Sequence, residues 1–152
     1  MKNKYMQLAL NEAKKAFGQG EVPVGCVIVK DDKVIARAYN KKEKMKDVCA
    51  HAEILAIKKA EKKLNNWRLD NTIAYVTLEP CAMCLSALMQ ARVRKIYFAA
   101  QDKVTGACVS KIRLADINFS NPKVEIYGGI MEEESLELIK SFFQALREKN
   151  LN

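Results

Sequence analysis

Histidine is nearly missing from this chain: among 152 residues there is one, His51. Any site that needs two imidazoles is excluded, which removes His-x-x-x-His zinc proteases, three-histidine zinc centres and fingers built on paired histidines. Long apolar runs are missing too, and no stretch approaches the roughly 18 residues that span a bilayer. The first residues turn polar at Asn11-Glu12, without the apolar run and small-residue cleavage site of a secretory signal. The expectation is a cytoplasmic protein with no membrane partner. Internal repeats, low-complexity tracts and linkers are also absent, and the length matches one domain, residues 1–152.

What the chain has in excess is positive charge. Lys and Arg number 26 against 18 Asp and Glu, a net +8. That balance favours a polyanionic partner without identifying one. The apolar fraction of 49% and charged fraction of 29% fit a globular protein. A domain of this size buries about 70% of its unfolded surface and needs no staples. The five cysteines, Cys26, Cys49, Cys81, Cys84 and Cys108, are an odd number. In a reducing compartment they read as ligands, reactive thiols or buried hydrophobes rather than disulfides.

Apolar positions recurring every three and four residues predict an amphipathic helix over 2–18, stopped by Gly18-Gln19-Gly20. The continuously apolar run 22–29, rich in β-branched residues, reads as a strand buried on both faces. Asp31-Asp32 turns it into a partner strand over 33–39. Residues 40–47 read as a basic loop carrying Lys41, Lys42, Lys44 and Lys46. A helix over 50–64 follows, with Lys58, Lys59, Lys62 and Lys63 on its polar face. Then come a strand over 72–78, a helix from about 81 to 91 opened by Pro80, strands over 95–100 and 124–127, and a last helix over 131–148. Strands separated by helices tend to be parallel. The predicted fold is α/β: three layers, α/β/α, around a five-stranded mixed sheet with one antiparallel hairpin.

Two short strings carry the chemistry: His51-Ala52-Glu53 and Pro80-Cys81-Ala82-Met83-Cys84. A catalytic zinc takes three protein ligands and leaves its fourth position open. One imidazole and two thiolates meet that need with the only histidine present. Cys81 and Cys84 stand three apart at a helix start, where the dipole and free N–H groups favour thiolate. Glu53 is about 200° around a helix from His51, so both can approach one metal only beyond the helix end. The reading is a zinc between two helix N-termini, held by His51, Cys81 and Cys84, with Glu53 free to move protons. At this composition Pro-Cys-x-x-Cys is expected only about 0.003 times by chance. By chemistry alone, two other classes stay open: a thiol oxidoreductase using Cys81 and Cys84, and an RNA-binding module with structural zinc. Cys26, Cys49 and Cys108 read as inert packing residues. Trp67, between a helix and a strand, reads as a packing anchor, and Arg92, Arg94 and Lys95 as further phosphate-contact candidates.

His-x-Glu followed by Pro-Cys-x-x-Cys resembles the signature of the zinc-dependent nucleobase deaminases, whose fold is cytidine deaminase-like. The resemblance extends through Glu21-Val22-Pro23-Val24-Gly25, Asn40, Asn66-Trp67-Arg68-Leu69, Tyr75 to Cys84, Thr105-Gly106-Ala107 and Ser141-Phe142-Phe143. In order and spacing these are similar to the bacterial tRNA-specific adenosine deaminases over nearly the whole chain. The resemblance implies one deaminase domain with one zinc per subunit, acting as a homodimer. Its reaction would be hydrolysis of adenosine to inosine at the wobble position of a tRNA anticodon stem-loop. It implies Glu53 as proton shuttle and Asn40 and Val24 as pocket walls for the base. Candidate RNA contacts are Lys41, Lys42, Lys44, Lys46, Asp102, Lys103, Phe142 and Phe143. A deaminase of a free base or nucleoside, of guanine or cytosine type, would share the same zinc and proton-transfer residues. The chain departs from the family pattern at Val48-Cys49-Ala50, Cys108-Val109-Ser110 and Asn121-Pro122.

Overall fold

The computed structural model describes residues 2–117 and 123–150; the Asn121-Pro122 departure lies outside them. A five-stranded sheet runs in the order β2-β1-β3-β4-β5, with β1 Gly25–Lys30, β2 Lys33–Tyr39, β3 Thr72–Leu78, β4 Lys95–Ala100 and β5 Glu125–Tyr127. β1 is antiparallel to both β2 and β3, and β3, β4 and β5 are mutually parallel. Asp31 and Asp32 adopt φ of 48° and 60°, the left-handed pair that a tight hairpin between twisted strands requires.

Alternation along β1 explains its unbroken apolar run. Cys26 and Ile28 face one layer; Val27 and Val29 face the other. The first layer is α3 (Ala52–Leu64) and α4 (Ala82–Gln90), which bury Ala56, Ile57, Leu85 and Leu88 against Val76, Ile96 and Phe98. The second is α1 (Lys2–Gly18), which buries Tyr5, Met6 and Ala9. α5 (Glu132–Asn150) lies on the same side, its Phe142 edge-on to Phe17 of α1 at 5.7 Å. On that face Tyr75, Tyr97 and Tyr127 occupy matching registers on β3, β4 and β5 and stack at 5.2 and 5.3 Å. Among the described residues no helix is long and apolar enough to cross a membrane.

Three local expectations need correction. The first strand begins at Gly25 rather than 22, because Val24 N–H bonds Val22 C=O at 2.9 Å in a tight turn and Pro23 has no N–H to give a ladder. The basic loop contains a one-turn helix, α2 (Lys42–Met45), ended by Lys46 at φ 50°. The cysteine helix starts at Ala82, with Cys81 just before it. The consequence for the site is simple: residues 22–24, 40–46, 78–81 and 102–105 all leave the sheet at one end, where α3 and α4 also begin.

Candidate metal centre and substrate pocket

His51 and Cys81 are the residues that precede α3 and α4, both extended (φ −75°, ψ 154° and φ −75°, ψ 175°), and neither side chain caps its own helix. Both side chains are therefore available to each other. His51 Nδ1 lies 3.8 Å from Cys81 Sγ and 3.4 Å from Cys84 Sγ, and one ligand atom from each of the three falls within 4.8 Å of the others. Tetrahedral zinc with Zn–S of 2.3 Å and Zn–N of 2.0–2.1 Å sets a nitrogen–sulfur separation of about 3.5 Å. The three residues fit that ion. Among the described residues this is the one group of three such side chains placed to hold a metal.

A hydrogen bond from Cys84 and a second with His51 hold the Cys81 thiol down at about 4, while the bond between the two thiols and burial push Cys84 up. His51 is raised, first by its bond to Cys81. Glu53 sits in the first turn of α3, 4% exposed and in contact with the Cys84 thiol. Burial pushes its carboxyl up to about 7.

These groups lie at one side of a cavity of about 190 Å³ whose walls include Val24, Asn40, Lys42, Asp102 and Thr105. That is smaller than the roughly 300–1,000 Å³ of pockets for drug-sized ligands, so it admits one heterocyclic base rather than a whole nucleotide. Asn40 donates to Val22 C=O at 3.2 Å and accepts from Lys42 N–H at 3.1 Å. It keeps one N–H and one lone pair for a ligand.

The remaining expected residues scatter. Lys44, Lys46 and Lys103 are exposed beside the pocket segments, and Lys41 covers the Tyr39 ring at 4.9 Å. Phe142 is buried against Phe17, so only Phe143, 41% exposed, presents its ring outward. Cys26 and Cys108 are buried as expected, but Cys49 is exposed. Trp67 is also exposed, with Arg68 over its ring at 5.5 Å. The anchoring role falls to Leu69, fully buried, whose N–H bonds Ala91 C=O. Arg92 and Arg94 border a separate cavity of about 600 Å³ shared with Arg68 and Lys123. It lies where β3, β4 and β5 begin, at the opposite end of the sheet from the metal centre, which removes both from the pocket mouth.

Sequence reasoning gave no role to two buried carboxylates at the pocket. Glu79 follows β3 and lines the cavity; Glu21 precedes β1. Burial acts to raise the Glu79 carboxyl, but bonds from the Ser110 hydroxyl and from backbone amides that include Val109, Ser110 and Asp102 outweigh it and hold it below the ordinary range. An acidic residue at the margin of an apolar strand was the one available signal.

Residues 1–147 match the family model of the MafB19-like deaminases. A tRNA-specific adenosine deaminase of Aquifex aeolicus is 46% identical over 146 residues, covering 96% of each chain. A solved tRNA:A34 deaminase, studied for A-to-I editing at the wobble position, superposes with a TM-score of 0.86 at 43% identity, covering 89% of this chain and 98% of that one. The guanine deaminase of Bacillus subtilis is more distant, with a TM-score of 0.63 at 34% identity over 78% and 70% of the two chains.

Proposed function

The chain belongs to the MafB19-like deaminases and, among them, to the tRNA-specific adenosine deaminases, and from that premise we propose that its pocket converts the wobble adenosine of a transfer RNA anticodon to inosine with Glu53 as proton carrier. The observation that carries the reading is the joining of His51, Cys81, Cys84 and a buried Glu53 at a base-sized cavity. His51, Cys81 and Cys84 would hold a zinc ion, and its Lewis acidity would lower the pKa of water at the site towards neutrality.

The reaction consumes one water and releases ammonia. Glu53 accepts one proton from the attacking water and passes it to the ring nitrogen, then takes the second from the hydroxyl that has been added and passes it to the departing amine, which leaves as ammonia. Val24 packs against the base, and Asn40 uses its remaining N–H and lone pair to orient it. A cavity this small receives a base only after it leaves the stack. Exposed Lys42 and Lys44 beside the opening, with Phe143 farther out, are the proposed RNA contacts. The same reading carries one zinc per subunit, a homodimer and a cytoplasmic setting, which metal analysis, light scattering and cell fractionation check in turn.

The deciding experiment incubates zinc-loaded protein with an anticodon stem-loop bearing a wobble adenosine, and separately with guanine, cytidine and free adenosine. Inosine in the RNA with no change in the small molecules is expected. Turnover of guanine with none of the RNA overturns the reading in favour of a free-base deaminase.

A further inference from the structure

Glu21 and Glu79 are 1% and 2% exposed, and among the described residues neither forms an ion pair. A buried charge in that position must be held by hydrogen bonds. Backbone amides supply most of them. Glu79 Oε2 accepts from the N–H groups of Cys108, Val109 and Ser110 at 3.0, 2.8 and 3.0 Å. Its Oε1 accepts from Asp102 N–H at 3.1 Å and from the Ser110 hydroxyl. The segment 102–110 is thus wrapped around one carboxylate as an anion nest. Gly106 completes the wrap, since a Cβ there would stand against the Glu79 carboxyl. Asp102 and Thr105, which line the pocket, are carried on this segment and tied together by the Thr105 hydroxyl at 2.7 Å.

Glu21 does the same across the pocket. Its two oxygens accept from Glu43 N–H at 2.9 Å and Lys44 N–H at 2.8 Å. These amides belong to α2, the turn that presents Lys42 to the cavity and Lys44 and Lys46 to its surroundings. Each carboxylate is rooted where the chain meets the sheet, and each reaches a rim more than twenty residues away in sequence.

We propose that Glu21 and Glu79 are paired positioning residues that fix the two rims of the substrate pocket, and that this fixing sets the affinity for the RNA nucleotide. The substrate part of the proposal rests on the tRNA reading above; the rim part does not. Gln is the informative replacement. It keeps the shape, but its amide turns an N–H₂ toward backbone donors and leaves one acceptor where two served.

The test uses the zinc-loaded full chain as wild type, E21Q, E79Q and S110A. It measures zinc content, kcat and KM on the anticodon stem-loop, and hydrogen exchange by peptide mass spectrometry. In E79Q, exchange is expected to rise within 102–110 and stay at the wild-type rate within 40–46, with KM up about tenfold and kcat within about threefold. E21Q gives the converse exchange pattern and a similar KM. S110A removes one donor and leaves four, so KM rises about two- to threefold; this variant decides the matter if the Gln variants do not fold. Wild-type exchange and KM in the folded variants overturn the proposal, as does loss of zinc with kcat while KM stays fixed. A wild-type protein that leaves the stem-loop unmodified counts against the tRNA reading instead, and the exchange patterns then decide the rims alone.

Discussion

Glu53 and His51 reach one metal centre although helix positions two residues apart point about 200° apart. The structure resolves this by backbone: His51 is extended, before the first turn of α3, and Glu53 is already inside it. The carboxyl touches Cys84 but is no member of the ligand set. Replacing Glu53 by Gln should therefore keep about one zinc per chain and lower kcat by about 10²–10⁴, the usual contribution of a positioned proton carrier. Inosine release from the stem-loop, read beside metal content, checks it; a Gln variant that loses zinc would make Glu53 a structural residue instead. His51, Cys81, Cys84 and Glu53 were legible in the sequence because their spacing is itself the chemistry. Glu21 and Glu79 were not, since their partners are backbone amides on distant segments and any residue supplies an amide. Trp67 and Cys49 were misread for a related reason: hydrophobic character says that a side chain can be buried, and not that the turn carrying it points inward.

Elements fared better than single residues because periodicity is an average over many side chains. All five strands and the four longer helices lie within a few residues of their expected places, and the boundaries moved where the pocket draws on them. Residues 22–24 leave the sheet to form a wall, and 40–46 coil into α2 beneath Glu21. One feature of α1 has no periodic trace at all. Gly25 opens β1 directly beneath that helix, where a Cβ would meet the carbonyl oxygen of Ala9 and lie 2.7 Å from the amide nitrogen of Ala13. Both are backbone atoms and neither can rotate away. The Gly25 N–H also bonds the Thr77 hydroxyl at 3.1 Å, tying β1 to the end of β3. Gly25→Ala should thus push α1 off the sheet and cost about 1–3 kcal/mol, the range for overpacking a well-filled core. Urea denaturation measures it as a lower midpoint; a midpoint equal to wild type would mean that α1 shifts freely over β1.

Across the whole molecule the charge excess and the pocket have to be considered together. A net +8 spread evenly would attract any polyanion weakly. Here Lys41, Lys42, Lys44 and Lys46 crowd one rim with Glu43 and Asp47 as the nearby acids, while Arg68, Arg94 and Lys123 gather at the far end of the sheet. The single histidine, which first excluded whole classes of metalloenzyme, and the lysine excess thus meet at one mouth. If the rim lysines neutralise phosphates, each contact releases condensed counterions, and log K falls with log salt by about 0.7–0.9 per phosphate. Lys44 and Lys46 are the cleanest pair to remove, being exposed and outside the cavity wall. The double variant Lys44→Ala/Lys46→Ala should lower the salt slope of stem-loop binding by about 1.4–1.8. Its kcat at saturating RNA should stay near wild type, because the metal centre and Glu53 are untouched. Titrations between low and moderate potassium chloride give the slope directly. An unchanged slope would make these lysines a solvated face and move the search for RNA contacts to Lys103 and Phe143.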